Sequence, residues 1–236
     1  MRAAAALKTT IACAVRLLTA EGLMDMNGHV SARPAGADHV LINSRTAGRH
    51  AVRAADIVAV DLAGRPLPGE GDAPVETPLH TRIYAARPDV RCVAHLHPQF
   101  STALAIAGRP VVPVFQLGAV FPVEGLPVYG DPDLIKTDES GDAVARALGP
   151  GRAVLLLGHG AVVVGEDVET VFTTSIWLEE NAKHLVRSTA LGTPRVFTEE
   201  VARRVRDSLW QPTILLKTWN HYVAKGQRDG VLDGVL

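Results

Sequence analysis

Leu7, Ile11, Val15 and Leu18 recur on one side of a helical repeat, which predicts an amphipathic helix over 3–21 closed by Gly22. Short apolar runs rich in β-branched residues follow, and they predict strands at 29–33 (after the Asn27-Gly28 turn), 40–42 and 57–61. A Gly/Pro-rich turn over 62–74 leads to a helix over 77–87, with Thr77 placed to cap it and Pro78 in its first turn. Val93-Ala94-His95-Leu96-His97 is the end of a buried strand, and a helix over 98–107 leaves it. Strands and loops fill 110–129. A helix opens at Asp131-Pro132-Asp133 and runs to Leu148, and strands at 152–157 and 161–164 flank Gly158-His159-Gly160. In the long helix predicted over 167–191, Leu178, Ala182, Leu185 and Val186 form an apolar face, and Glu179, Glu180, Lys183 and Arg187 a charged one. One or two helices over 198–223 precede a flexible tail at 226–236. Strands and helices interleave without repeats or a low-complexity linker, which predicts one α/β domain over 1–225.

The pattern also sets out candidate chemistry. Strand side chains at i and i+2 share a face, so His95 and His97 present two imidazoles to one point. A histidine between two glycines at a turn, His159, is the candidate third ligand, because it can project from the end of a sheet. Three neutral imidazoles hold a divalent ion with positions left open, the arrangement of a catalytic rather than a structural site. Glu76, at the entrance of the 77–87 helix, is the candidate proton carrier or additional ligand. The competing reading is structural: the chain has nine histidines, and one His-x-His pair arises easily by chance. For His80 and His184 the structural reading is preferred.

Composition narrows the functional classes. Hydrophobic residues make up 47% and aromatic residues 5%, enough small apolar side chains for a large core. A net charge of −1 argues against electrostatic capture of nucleic acid, although one or two arginines suffice for a small anion. Two cysteines, Cys13 and Cys92, make no disulfide framework, so the expected compartment is reducing cytoplasm. Lys8 and Arg16 interrupt the apolar start of the chain, against a signal peptide, and no segment reaches the roughly 20 apolar residues that would span a membrane.

Gly28-His29-Val30-Ser31-Ala32-Arg33, then Glu76-Thr77-Pro78-Leu79-His80 with Ile83-Tyr84 and Arg87-Pro88-Asp89-Val90, then His95-Leu96-His97-Pro98, then Gly158-His159-Gly160, follow one another along the chain. This series resembles the class II aldolase/adducin family from about Leu17 to about Leu191. The resemblance implies a three-layer α/β/α fold with a central, mostly antiparallel sheet. It also implies a catalytic divalent metal on His95, His97 and His159, with Glu76 as acid/base, and assembly as a ring-like homotetramer. Zinc is the expected ion, with manganese, cobalt and iron as alternatives. The chain departs from the family's sugar-phosphate members in three places. His29 stands where an asparagine is usual, Arg45 and Arg49 replace a Thr/Pro/Gly phosphate loop, and Pro74-Val75 replace two serines. A substrate carboxylate is therefore the expected anchor, on Arg45, with His29, Ser31 and Gln116 as further candidate substrate contacts. This pattern looks like the branch acting on hydroxylated aromatic acids, such as dihydroxyphthalate, or on ring-cleavage acids. The expectation is a non-oxidative decarboxylase. The alternatives are an aldolase for a small hydroxy-keto acid or sugar derivative, and a non-catalytic adducin-like scaffold.

Overall fold

In the computed structural model, which describes residues 2–235, all six strands expected from the sequence join one sheet. Met1 and Leu236 lie outside the described residues. The strands are β1 (His29–Ala32), β2 (His39–Asn43), β3 (Ile57–Asp61), β4 (Cys92–Leu96), β5 (Val128–Tyr129), β6 (Ala153–Leu156) and β7 (Gly160–Gly165). Their order is β3-β2-β1-β4-β7-β6-β5, and only the short edge pair β5–β6 is parallel. His29 of β1 lies opposite His95 of β4 at the centre of the sheet.

Alternation along the strands divides the core in two. Val30, Ala32, Ala94, Leu96, Leu155 and Val163 pack with α1 (Arg2–Ala20), α3 (Gln99–Ile106), α5 (Val168–Thr189) and α7 (Pro212–Arg228). Val93, Val154, Leu156, Val162 and Val164 pack on the other face with α2 (Thr77–Ala86) and α4 (Asp138–Leu148). The remaining helix, α6 (Glu199–Leu209), packs on the 3-10 turn Gln116–Val120. The result is the three-layer α/β/α architecture that the resemblance implies. Trp177, Phe172, Phe121 and Tyr84 are fully buried, and side chains of this kind contribute about 1.5–3 kcal/mol each.

Four local expectations need correcting. The 131–148 helix begins only at Asp138, where Thr137 Oγ1 accepts from Ser140 N–H, while Ile135 N–H is spent on Glu76 Oε1 at 3.0 Å and keeps the preceding turn out of the helix. Thr77 does not cap α2: Glu76 holds the cap position, and the Thr77 hydroxyl donates to Pro74 O at 2.6 Å. Glu179 is not on a charged face of α5 but buried, accepting from Phe100 N–H, Ser101 N–H and Ser101 Oγ–H at 2.6–3.0 Å, so that it caps α3 from another helix. The expected flexible tail is packed over 226–235. Leu232 is buried in the first core, and buried Arg16 donates to Val231 O and Asp233 O at 3.1 and 2.9 Å. Cys13 and Cys92 are buried and unpaired. No helix of the described residues is long and apolar enough to cross a membrane.

Candidate metal centre

His95 is the penultimate residue of β4, His97 follows directly after the strand, and His159 sits in the tight turn between β6 and β7. The two glycines around His159 have different reasons. Gly158 adopts a left-handed φ of +65°, and at Gly160 a Cβ would run into the Leu96 carbonyl oxygen. That close approach sets His159 beside His95 and His97, and ligand atoms of all three lie within 4.8 Å of one another. Glu76 comes from the start of α2 and is 6% exposed. Its Oε1 accepts from Ile135 N–H and lies 3.7 Å from His159 Nε2, while its Oε2 lies 3.6 Å from His95 Nε2 and 3.7 Å from His29 Nε2.

Hydrogen bonds fix which nitrogens are bare. His95 Nδ1 meets the Ala161 carbonyl oxygen at 3.2 Å, which only accepts, so the ring's proton is on Nδ1 and Nε2 is a lone pair. Burial, then the neighbouring His97 and His159, push the His95 pKa well below the ordinary value and keep the ring neutral. His97 gives its Nδ1 proton to Asp25 Oδ2 at 3.1 Å, so a neutral His97 also presents a bare Nε2. These two Nε2 atoms are 3.2 Å apart, and two lone pairs at that distance repel unless a cation lies against both. His159 brings its Nε2 to within 3.7 Å of Glu76 Oε1, while its Nδ1 is buried with no hydrogen-bond partner among the described residues. The donor set therefore fits a divalent ion. Asp25 fixes the ring behind the ligand, an arrangement that raises metal affinity. Burial pulls the Asp25 carboxyl upward, but the Asn27 N–H and His97 outweigh it and lower the pKa.

The other site candidates divide. His29 is buried beside Glu76, with Nδ1 3.0 Å from His80 Nε2. Ser31 is fully buried with its hydroxyl 2.8 Å from both His80 Nδ1 and Tyr84 Oη, so it cannot reach a substrate and is corrected to an internal role. Arg49 is buried as well, donating to the Gly28, Ser44 and Ala47 carbonyls, and so ties the 44–49 loop to the residue before His29. Arg45 stands exposed on that loop. Gln116 is exposed on the 3-10 turn that packs on α5 and α6, in the helical layer opposite α2. His184 stacks on Phe115 with centroids 4.1 Å apart, a packing role. Asp25 carries no local sequence signal, and Tyr84 stands in the motif series without a role of its own. A signal for Tyr84 exists: Glu76, His80 and Tyr84 recur every four residues on α2, and His29 and Ser31 every two on β1, so two polar stripes face each other.

The sequence profile of the Class II Aldolase and Adducin N-terminal domain matches residues 9–186. The 3,4-dihydroxyphthalate decarboxylase of Arthrobacter keyseri is 34% identical over 198 residues, covering 78% of this chain and 79% of that protein. The protein of the same description from Rhodococcus jostii (strain RHA1) is 32% identical over 231 residues, covering 92% and 95%. The solved L-fuculose 1-phosphate aldolase from Glaciozyma antarctica PI12 superposes with a TM-score of 0.82 over 96% of this chain and 90% of that one, at 22% identity, which speaks to the fold alone.

Proposed function

Because the chain belongs to the class II aldolase and adducin family, we propose that it is a metal-dependent carbon–carbon lyase, specifically a non-oxidative decarboxylase of a hydroxylated aromatic or ring-cleavage carboxylic acid. The observation that carries this reading is the pair of bare Nε2 atoms of His95 and His97, 3.2 Å apart, beside His159 and a buried Glu76. The names of the two decarboxylase relatives support the substrate class.

A divalent ion on the three histidines, zinc in this reading, supplies a Lewis acid for negative charge that develops on a substrate oxygen. The protein's own groups do the rest. Arg45, on the loop that Arg49 holds against Gly28, anchors a second carboxylate of the substrate. When the carbon–carboxylate bond breaks, its electron pair stays on the ring carbon and carbon dioxide leaves. Glu76 then gives a proton to that carbon and regains one from solvent. Its reacting oxygen is Oε2, because Oε1 is held by Ile135 N–H. Assembly as a homotetramer in reducing cytoplasm, acting on a small carboxylate and on neither nucleic acid nor membrane, completes the reading.

Carbon dioxide release from metal-reconstituted protein, with a panel of ortho-hydroxylated aromatic carboxylates, tests the proposal. The wild type should release it, and His97→Ala and Glu76→Gln should not. No release from any panel member, with metal shown to be bound, would sink the decarboxylase and make aldehyde detection the next assay.

A further inference from the structure

The hydrogen-bonded chain behind Glu76 has a direction. It starts at a group that only accepts, the Ser31 carbonyl oxygen, which takes the Tyr84 hydroxyl proton at 3.0 Å. With that proton spent, Tyr84 Oη becomes the acceptor for Ser31 Oγ–H at 2.8 Å. Ser31 Oγ then accepts from His80 Nδ1–H at 2.8 Å, and bare His80 Nε2 accepts from His29 Nδ1–H at 3.0 Å. Both rings are neutral: each is buried with no carboxylate within hydrogen-bond length to balance a cation, and burial pushes His80 down to about 3. Each ring thus carries one proton, on Nδ1. His29 Nε2 is left as a lone pair 3.7 Å from Glu76 Oε2.

We propose that Tyr84, Ser31 and His80 are positioning residues that lock His29 in its Nδ1–H tautomer, so that His29 offers Glu76 an acceptor and never a donor. A bare nitrogen facing a carboxyl oxygen is favourable only with a proton between them. Glu76 Oε1 already accepts from Ile135 N–H, so a proton carried by Glu76 sits on Oε2, against His29. His29 Nε2 stands 3.7 Å from Oε2, beyond hydrogen-bond length, so its lone pair favours that proton electrostatically on the oxygen that faces the metal ligands. With the chain reversed, an N–H would point at Oε2 and the proton would lose its place.

Two-bond proton–nitrogen correlation spectra of 15N-histidine-labelled protein, metal-free and zinc-loaded, report which nitrogen bears hydrogen. His29→Gln and His80→Gln spectra assign the two rings. Wild type should show His29 and His80 both protonated on Nδ1 alone. A proton on His29 Nε2 overturns the lock without recourse to any further variant. Tyr84→Phe deprives Ser31 Oγ–H of its acceptor, so Ser31 should donate to His80 Nδ1 and both rings should switch to the Nε2–H form, which a purely structural Tyr84 would not cause. Unchanged tautomers in that variant also overturn the lock. The rate arm rests on the decarboxylase reading: in Tyr84→Phe, kcat for carbon dioxide release should fall about tenfold to a hundredfold, with KM within about threefold. A tautomer switch with kcat intact overturns the role in proton placement. A wild type that shows the lock but releases no carbon dioxide upholds the lock and overturns the decarboxylase reading instead.

Discussion

His80→Gln provides a test of the buried histidine chain that needs no substrate. In the fold His80 is fully buried with a pKa of about 3, against about 6.5 in an unfolded chain. As pH falls, the unfolded chain takes up this proton first, so stability is fully present above about pH 6.5 and is lost as pH falls toward 3. At pH 5 the unfolded chain has gained about 1.5 units at 1.36 kcal/mol each, roughly 2 kcal/mol. The folded value hardly matters, because any pKa below about 4 leaves the folded ring neutral at pH 5. Glutamine does not titrate, and its amide still offers a donor and an acceptor to Ser31 and His29. Urea unfolding of chelator-treated wild type and His80→Gln, at one protein concentration and at pH 7 and pH 5, isolates the contribution. Wild type should lose about 2 kcal/mol more than the variant between the two pH values. Equal losses would mean that His80 binds its proton in the folded state, and the chain from Tyr84 to His29 would not exist as drawn.

Three further substitutions probe the frame of the site. Gly160→Ala should press a methyl into the Leu96 carbonyl, destabilise the fold by about 1–3 kcal/mol and lower bound metal per chain; unchanged melting and full metal content would refute the close approach. Asp25→Asn, which removes the carboxylate behind His97, should weaken metal binding about 10–100-fold in competition with a chromogenic chelator, and equal affinity would remove Asp25 from the site. Glu179→Gln puts an NH2 where only acceptors fit, so urea unfolding should show a loss of about 1–3 kcal/mol and the Phe100 and Ser101 amides should exchange faster; native protection there would show that α3 does not need this cap.

What was legible in the sequence is what local periodicity encodes. His95 and His97 share a face because strands alternate, and Gly158-His159-Gly160 marks a turn, so the cluster can be assembled from short stretches. What was missed depends on chain segments far apart. Asp25 meets His97 across 72 residues, and Glu179 caps Ser101 across 78, and no spacing rule reaches that far. Ser31 shows the same limit in reverse. Its place beside His29 suggested a substrate contact, but α2 lays His80 and Tyr84 over it and leaves no opening. The start of α4 failed for a related reason: Asp131-Pro132-Asp133 is a fair local helix start, and a tertiary bond from Ile135 to Glu76 overrules it.

Arg16 has a consequence for the order in which the protein is made. Its guanidinium, buried under the first helix, takes one acceptor from Val52 and two from Val231 and Asp233, the last of them 217 residues further along. At translation rates of about 5–20 residues per second, α1 waits roughly 10–40 s after its own synthesis for those carbonyls. Until then its cation must stay hydrated, and α1 remains a provisional lid on the sheet rather than a finished part of it.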